Sequence, residues 1–537
     1  MSWNKLPAEL RLMVFRELAF LRDPVRPEER YDFVNYARVC KQWHARWTAE
    51  SFHQIVLDQD RISDLDELTK KSPSLNRLIR QIYLRIKLPN YDCSVCQQED
   101  DLEAKGRNNT VFTKAVVGLF TVISTWPQMI PKPHVPVSRA LSLEISAYSP
   151  SDYQHGFKDF RLKNDYPICF DTDVYIGEGN GFAAEKQFLK MTKQEQHDDP
   201  VHGWANGTQS PVCLGTRKRL TETLSLDQGV QIPRARAVTT LIVRRQSYRP
   251  IETSSLRQML RAVPKLALFT HEPWYNVTPE LQMSFEREYR KLLNDMQKTN
   301  KKLQNIILFQ NASKLLNPDV PDNGNGSSPS PKGKRLLGNH LARASRKLDT
   351  EVLSAAFLVD AYDFFHEFTA RIPRECRDLL IWSNLREVNL TSRHLHDSEP
   401  LHMRQGMLCR AGHAAALMPN LEVLTLWNGG RGFSYIMQYL RFTSRTQGSL
   451  LALASTSDSV LNSDFSPEVL AVWQLVPRTL PEPNLAELQV VRHKHKKPKE
   501  SFQSAYSTVW YLRWFQIAHD ISIREMITEE KFRPREG

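Results

Sequence analysis

Cysteine is scarce in this chain: seven residues among 537, an odd number and widely spread. That density argues against a disulfide framework and fits a reducing cytosolic or nuclear compartment. Long apolar runs are missing too. No stretch approaches the roughly eighteen residues a membrane span needs, so none is expected. The opening MSWNKLPAEL has no basic stretch leading into an apolar one, so a secretory signal is not expected either. Nucleophile elbows, HExxH, Walker A loops and kinase-type glycine loops are also absent. An enzyme is therefore not the leading expectation, and no cofactor is implied.

What is present describes a cored globular protein, with 41% hydrophobic and 25% charged residues. The length exceeds the roughly 250–300 residues at which one core usually stops growing, which suggests more than one structural unit. The net charge of +12 could serve an acidic partner. Its densest run, His493-Lys494-His495-Lys496-Lys497-Pro498-Lys499, reads either as a nuclear localisation signal or as a solvated loop after the last strand. No aromatic residue interleaves with it to stack on bases, so nucleic acid is not an expected partner.

The N-terminus carries two helical patterns. Leu6-Pro7-Ala8-Glu9-Leu10 opens the first, with proline where a missing N–H costs nothing and Glu9 at the positive helix end. Leu10, Met13, Val14 and Leu18, with Leu12 and Phe15 alongside, recur at helical spacing. A second stretch runs from about Asp32 through Tyr36, Val39, Cys40 and Trp43 to Trp47. Helices this short are marginal alone and must pack on something.

Leu-Pro-x-Glu-Leu followed by Val39-Cys40-Lys41-Gln42-Trp43, with Phe52 as a terminal apolar anchor, resembles the F-box. The resemblance implies docking on a small Skp-type adaptor and, through it, on a cullin-based ubiquitin ligase. Leu6, Pro7, Leu10, Val39 and Trp43 would then form or brace the docking surface. The segment from Ala19 to Asp32 is longer and more charged than the family's usual connection. Without the resemblance, the same residues read as a helical hairpin serving its own core.

Behind residue 55 a theme recurs: Leu-x-x-(Leu/Val)-x-(Leu/Val). Its clear copies begin at Leu385, Leu421 and Leu485, spaced about 36 and about 64 residues apart, against roughly 20–29 for a regular leucine-rich repeat. Asn428 falls one place early for the inner-turn asparagine of such a repeat. Alternating segments at Ile82–Leu88, Leu141–Ile145, Val238–Val243, Pro264–Leu268 and Leu303–Phe309 read as further strands. The expected fold class is α/β: a short helical F-box over residues 1–55, then an irregular leucine-rich-repeat-like array of parallel strands and helices with long insertions over 56–500. An ordinary α/β domain is the alternative. This body, with Leu141 to Asp152, resembles filamentous-fungal F-box proteins. Residues 501–537, with Trp510, Tyr511, Trp514 and Phe515, read as an aromatic helix or cap: a core or capping helix that closes the last repeat, or a partner-binding helix. A Pro/Gly/Ser/Asn-rich insertion at about 317–334 reads as disordered, and the stretch from about Glu195 to Ile232 as an exposed excursion.

These expectations define a substrate-recognition adaptor whose repeat-like body binds a target protein, in the cytoplasm, the nucleus or both. The alternative is a repeat-scaffold binding module with no ligase role. Two motifs hint at chemistry. Gly177-Glu178-Gly179-Asn180-Gly181 falls one residue short of a dinucleotide fingerprint and carries an acid that would repel phosphate, so it reads as a turn. Cys93-Ser94-Val95-Cys96 supplies two of the four ligands a structural Zn²⁺ needs. No second CxxC or HxxxH lies nearby, Cys169 and Cys213 are distant and solitary, and no metal site is expected.

Overall fold

The computed structural model describes residues 3, 6–20, 35–126, 141–155, 199–205, 208–210, 213–245, 249–276, 278–310, 331–369, 380–442, 448–479, 488–513, 515–523 and 525–526. The turn at Gly177–Gly181, most of the insertion at 317–334, most of the 19–32 connection and Trp514 lie outside them.

Fourteen strands are present among the described residues: β1 (Gln54–Leu57), β2 (Gln81–Lys87), β3 (Leu141–Tyr148), β4 (Trp204–Ala205), β5 (Thr208–Gln209), β6 (Val238–Val243) and β7 (Leu268–His271), followed by β8 (Asn305–Phe309), β9 (Val352–Ala356), β10 (Glu387–Thr391), β11 (Val423–Gly430), β12 (Phe433–Phe442), β13 (Gly448–Ser455) and β14 (Leu488–Lys494). β4 and β5 form a separate small hairpin, and the other twelve make one sheet whose spatial order is the order of the chain. Most neighbours pair parallel, so the chain must cross over between them, as the intervening helices allow.

The repeated leucine motif explains the register. Its second and third apolar positions stack across the sheet: Ile306, Leu353, Val388 and Leu424 face one another in successive strands. The leading Leu385 and Leu421 are fully buried just before their strands. With period two, the alternate side chains form one large core with the helices, among them Leu102–Ser124, Thr253–Ala262, Pro279–Thr299, Pro331–Lys347 and Leu401–Ala415. Local signals place these helices. Asp101 accepts from the Ala104 N–H at 2.7 Å, and Thr278 caps the helix that Pro279 opens. Buried Asn300 donates to the carbonyls of Leu260 and Val263, tying one helix end to the preceding one.

Several expectations need correction. The array is not wholly parallel: β11, β12 and β13 form an antiparallel meander inside the long Leu421–Leu485 interval. Asn428, already out of register for an inner-turn asparagine, is a buried member of β11, opposite Tyr435. The strand expected at Pro264–Leu268 starts only at Leu268, because the chain turns at Pro264 and Lys265 and buries Leu266 before the strand begins. The third motif reaches the described residues only from Leu488 onward.

The basic run begins within β14 rather than after it, since His493 and Lys494 belong to that strand. Arg492, His493 and Lys494 are exposed on the last strand of the sheet, where charge discourages further strand pairing. The 195–232 stretch is not a mere excursion either: Trp204, Thr216, Arg219 and Leu220 are buried.

The C-terminal segment does not cap the end of the array. The Ala505–Leu512 helix lies on the sheet face opposite the helical layer, in a second core with Phe309, Phe357, Trp427 and Ile436. Gly429 makes this approach possible, for a Cβ there would sit 2.2 Å from Thr508 Oγ1. The chain then runs back across the sheet. Ser354 Oγ donates to the Ile517 carbonyl at 3.2 Å, and the His519 N–H donates to Glu272 at 2.6 Å.

Candidate functional site

The N-terminal unit consists of the Ala8–Phe20 and Lys41–His53 helices. The second is shorter than its sequence pattern suggested: Asn35 and Tyr36 make a separate helical turn, and Cys40 is the extended residue before Lys41. Phe15 and Trp47 are buried at the centre, with Trp3, Leu18, Tyr36 and Trp43 packed around them. The rings meet mostly edge to face, with centroids 5.0 Å apart for Trp3–Trp43 and 5.3 Å for Phe15–Trp43. Such pairs each contribute about 0.5–1.5 kcal/mol beyond area burial. Gln42 links the helices, because its side-chain oxygen accepts from Trp3 Nε1 at 3.0 Å and from Arg11 at 2.9 Å.

The residues singled out from the sequence divide into two groups. Trp43 belongs to this aromatic core and braces it, and Leu6 is half-buried. Pro7, Leu10 and Val39 are exposed. Leu10, Leu12, Met13 and Val39 keep 45%, 55%, 57% and 59% of their surface in solvent. The first helix thus turns Phe15 and Leu18 inward while Leu10 and Met13 stay outside.

A second cluster escaped the sequence reading. Cys93–Val95 is a single 3₁₀ turn, which brings Cys96 Sγ to 4.0 Å from Cys93 Sγ. His155 stands just after the Pro150–Gln154 helix, whose start is fixed by a capping box between Ser149 and Asp152. His202 ends a 3₁₀ turn, Pro200–His202, closed by left-handed Gly203. Cys93 Sγ lies 3.3 Å from His202 Nε2, and His155 Nδ1 lies 3.1 Å from the same nitrogen. All four ligand atoms fall within 4.8 Å of one another. Burial, reinforced by the bond to Cys93, raises the pKa of the Cys96 thiol.

A buried charge network holds these segments together. Arg249 binds Asp152 at 3.0 Å and Asp100 at 3.1 Å, and Arg219 binds Asp100 at 2.9 Å. Burial opposes the charge on Arg249, but Asp152 and Asp100 together hold its pKa above the ordinary value. Arg219 also donates to the carbonyls of Val95 and Gln98, both at 2.8 Å, and so grips the cysteine turn. Gly215 lets the Leu214–Leu220 helix reach that turn, since a Cβ would lie 2.1 Å from the Gln97 carbonyl oxygen. The sequence offered Cys93-x-x-Cys96 alone. The histidines join it only through the fold.

A family model described as a family of unknown function (DUF6546) matches residues 298–514. The match spans β8 through the C-terminal helix and includes neither the N-terminal helices nor the cysteine–histidine cluster. No curated protein matches the chain. Among the described residues no helix is long and apolar enough to cross a membrane.

Proposed function

We propose that this chain is a substrate-recognition adaptor of a Skp–cullin–F-box type ubiquitin ligase, with no catalytic role of its own. One observation carries the proposal: Leu10 and Val39, which match F-box docking positions, stay exposed on a small unit whose aromatic core is already filled by other residues. Large apolar side chains left outside a completed core favour a partner that covers them. The Skp-type adaptor takes that place, and the cullin joins through it.

The alternative, a scaffold capped by these helices, draws less support, because Phe15 and Trp47 form a cluster separate from the core beneath the sheet. The strands in chain order, with Leu266, Leu303, Leu385 and Leu421 buried just before β7, β8, β10 and β11, favour an irregular leucine-rich-repeat-like body as the target-binding part. That target binds away from the inner face of β9, β11 and β12, which the C-terminal segment covers.

The test is capture of the full chain by a purified Skp-type adaptor. Leu10→Asp with Val39→Asp should weaken capture at least about tenfold without altering the far-ultraviolet circular dichroism. Undiminished capture of the folded double variant would remove the assignment, as would failure of the wild-type chain to bind.

A further inference from the structure

We propose that Cys93, Cys96, His155 and His202 bind one Zn²⁺ as a closed tetrahedral site, independently of the adaptor reading. The donor set is the first argument. Two thiolates and two imidazoles make a four-ligand structural zinc site, and a tetrahedral S₂N₂ set selects zinc over harder cations. The second argument is metric. Zn–S near 2.3 Å and Zn–N near 2.0–2.1 Å imply tetrahedral edges of roughly 3.8 Å for S···S, 3.6 Å for S···N and 3.3 Å for N···N. The corresponding separations here are 4.0, 3.3 and 3.1 Å. A Cys93–Cys96 disulfide would instead need the sulfurs at about 2.05 Å.

The surroundings carry the inference further. His202 presents Nε2 to the cluster while its Nδ1 lies 2.7 Å from Asp199 Oδ2. A carboxylate on the remote nitrogen fixes the tautomer and raises the basicity of a zinc-binding imidazole. Asp199 is itself fixed by paired backbone bonds to Trp204, both 2.9 Å. On the cysteine side, the Gln97 side chain donates to the Val201 carbonyl and Thr216 Oγ1 donates to the Cys96 carbonyl. The ligands thus come from three separately anchored turns. The two histidines are 47 residues apart in the chain, so an ion here would close the base of that segment onto the β2 end of the sheet. With all four positions filled by protein, the ion has a folding role, not a catalytic one.

The full chain, purified without added metal, should contain one zinc per molecule by elemental analysis. After chelation and reloading with Co²⁺ alone, it should show the visible absorption of tetrahedral cobalt together with a thiolate-to-cobalt charge-transfer band. Cys96→Ser and His202→Ala should each lose the ion. Cys213→Ser should keep it, because that thiol faces the Gln97 carbonyl and Thr216. The cobalt spectrum is read on the wild type, so a poorly folding variant does not blunt the test. Failure of the wild type to take up either metal, a cobalt spectrum without thiolate charge transfer, a Cys93–Cys96 disulfide in the purified chain, or full metal content in the His202→Ala variant would each overturn the site.

Discussion

Replacing Asp152 by alanine strikes the joint on which three segments of the N-terminal half converge. The Asp152 carboxylate is fully buried, accepts from Arg249 and from Tyr91 Oη at 2.9 Å, and takes the Ser149 N–H at 2.9 Å. With Asp100 and Arg219 it makes a set of two carboxylates and two guanidiniums, balanced in charge. Alanine leaves this buried set with one excess positive charge. Removing one partner of a buried ion pair costs about 3–5 kcal/mol, because the remaining charge keeps its desolvation penalty. Asp152→Asn keeps one acceptor oxygen, enough for either the capping bond made at Oδ2 or the phenol bond made at Oδ1, and should cost less. In the double variant Asp152→Ala with Arg249→Met, the Asp100–Arg219 pair remains and balance returns. Its cost should fall short of the summed single costs by more than about 1 kcal/mol. Urea unfolding of the full chain, followed by pulse proteolysis, measures all four. An Asp152→Ala cost below about 1 kcal/mol, or strict additivity in the double variant, would refute the reasoning.

Acid should destabilise the fold through His271, whose pKa burial pushes down from 6.5 to about 3 and whose Nδ1 lies 3.0 Å from Tyr289 Oη. The unfolded chain binds this proton near 6.5 and the folded one only near 3. The contribution is therefore complete above pH 6.5 and falls below it by up to about 1.4 kcal/mol per pH unit. His271→Asn should flatten the urea midpoint against pH between 6.5 and 4, and an equally steep profile would contradict this. Deleting residues 502–537 should uncover Phe309, Phe357, Trp427 and Ile436 and raise binding of a hydrophobic dye several-fold. Unchanged dye binding would argue against the packing of that segment on the sheet.

Much of the sheet was legible because the leucine motif fixes both strand and face. Leu385, Val388 and Leu390 all point into the main core, as do Leu421, Leu424 and Leu426. The β11–β12 hairpin had its own signal in Gly429-Gly430-Arg431-Gly432, which the repeat pattern around Leu421 obscured. The residues of the proposed docking surface were legible by spacing but not by environment, since only packing separates inward Trp43 from outward Leu10. His155 and His202 had no local signature at all. They reach Cys93 because β2 and β3 are neighbours and the Leu214–Leu220 helix seats on the cysteine turn.

The most direct measurement is a calorimetric titration of a purified Skp-type adaptor onto the full chain, wild type against Leu10→Asp with Val39→Asp. Each of these side chains keeps about half its surface available, 45% for Leu10 and 59% for Val39. Full burial of such a side chain is worth roughly 1.5–3 kcal/mol, so about half of that remains to be gained on docking. Losing both should weaken binding by roughly 10–150-fold, and the buried charges would weaken it further. Stability should stay within about 0.5 kcal/mol of wild type, since both sites face solvent. The account predicts a tight wild-type complex and that loss in a folded variant; equal affinity in the two proteins, or no wild-type complex, would contradict it.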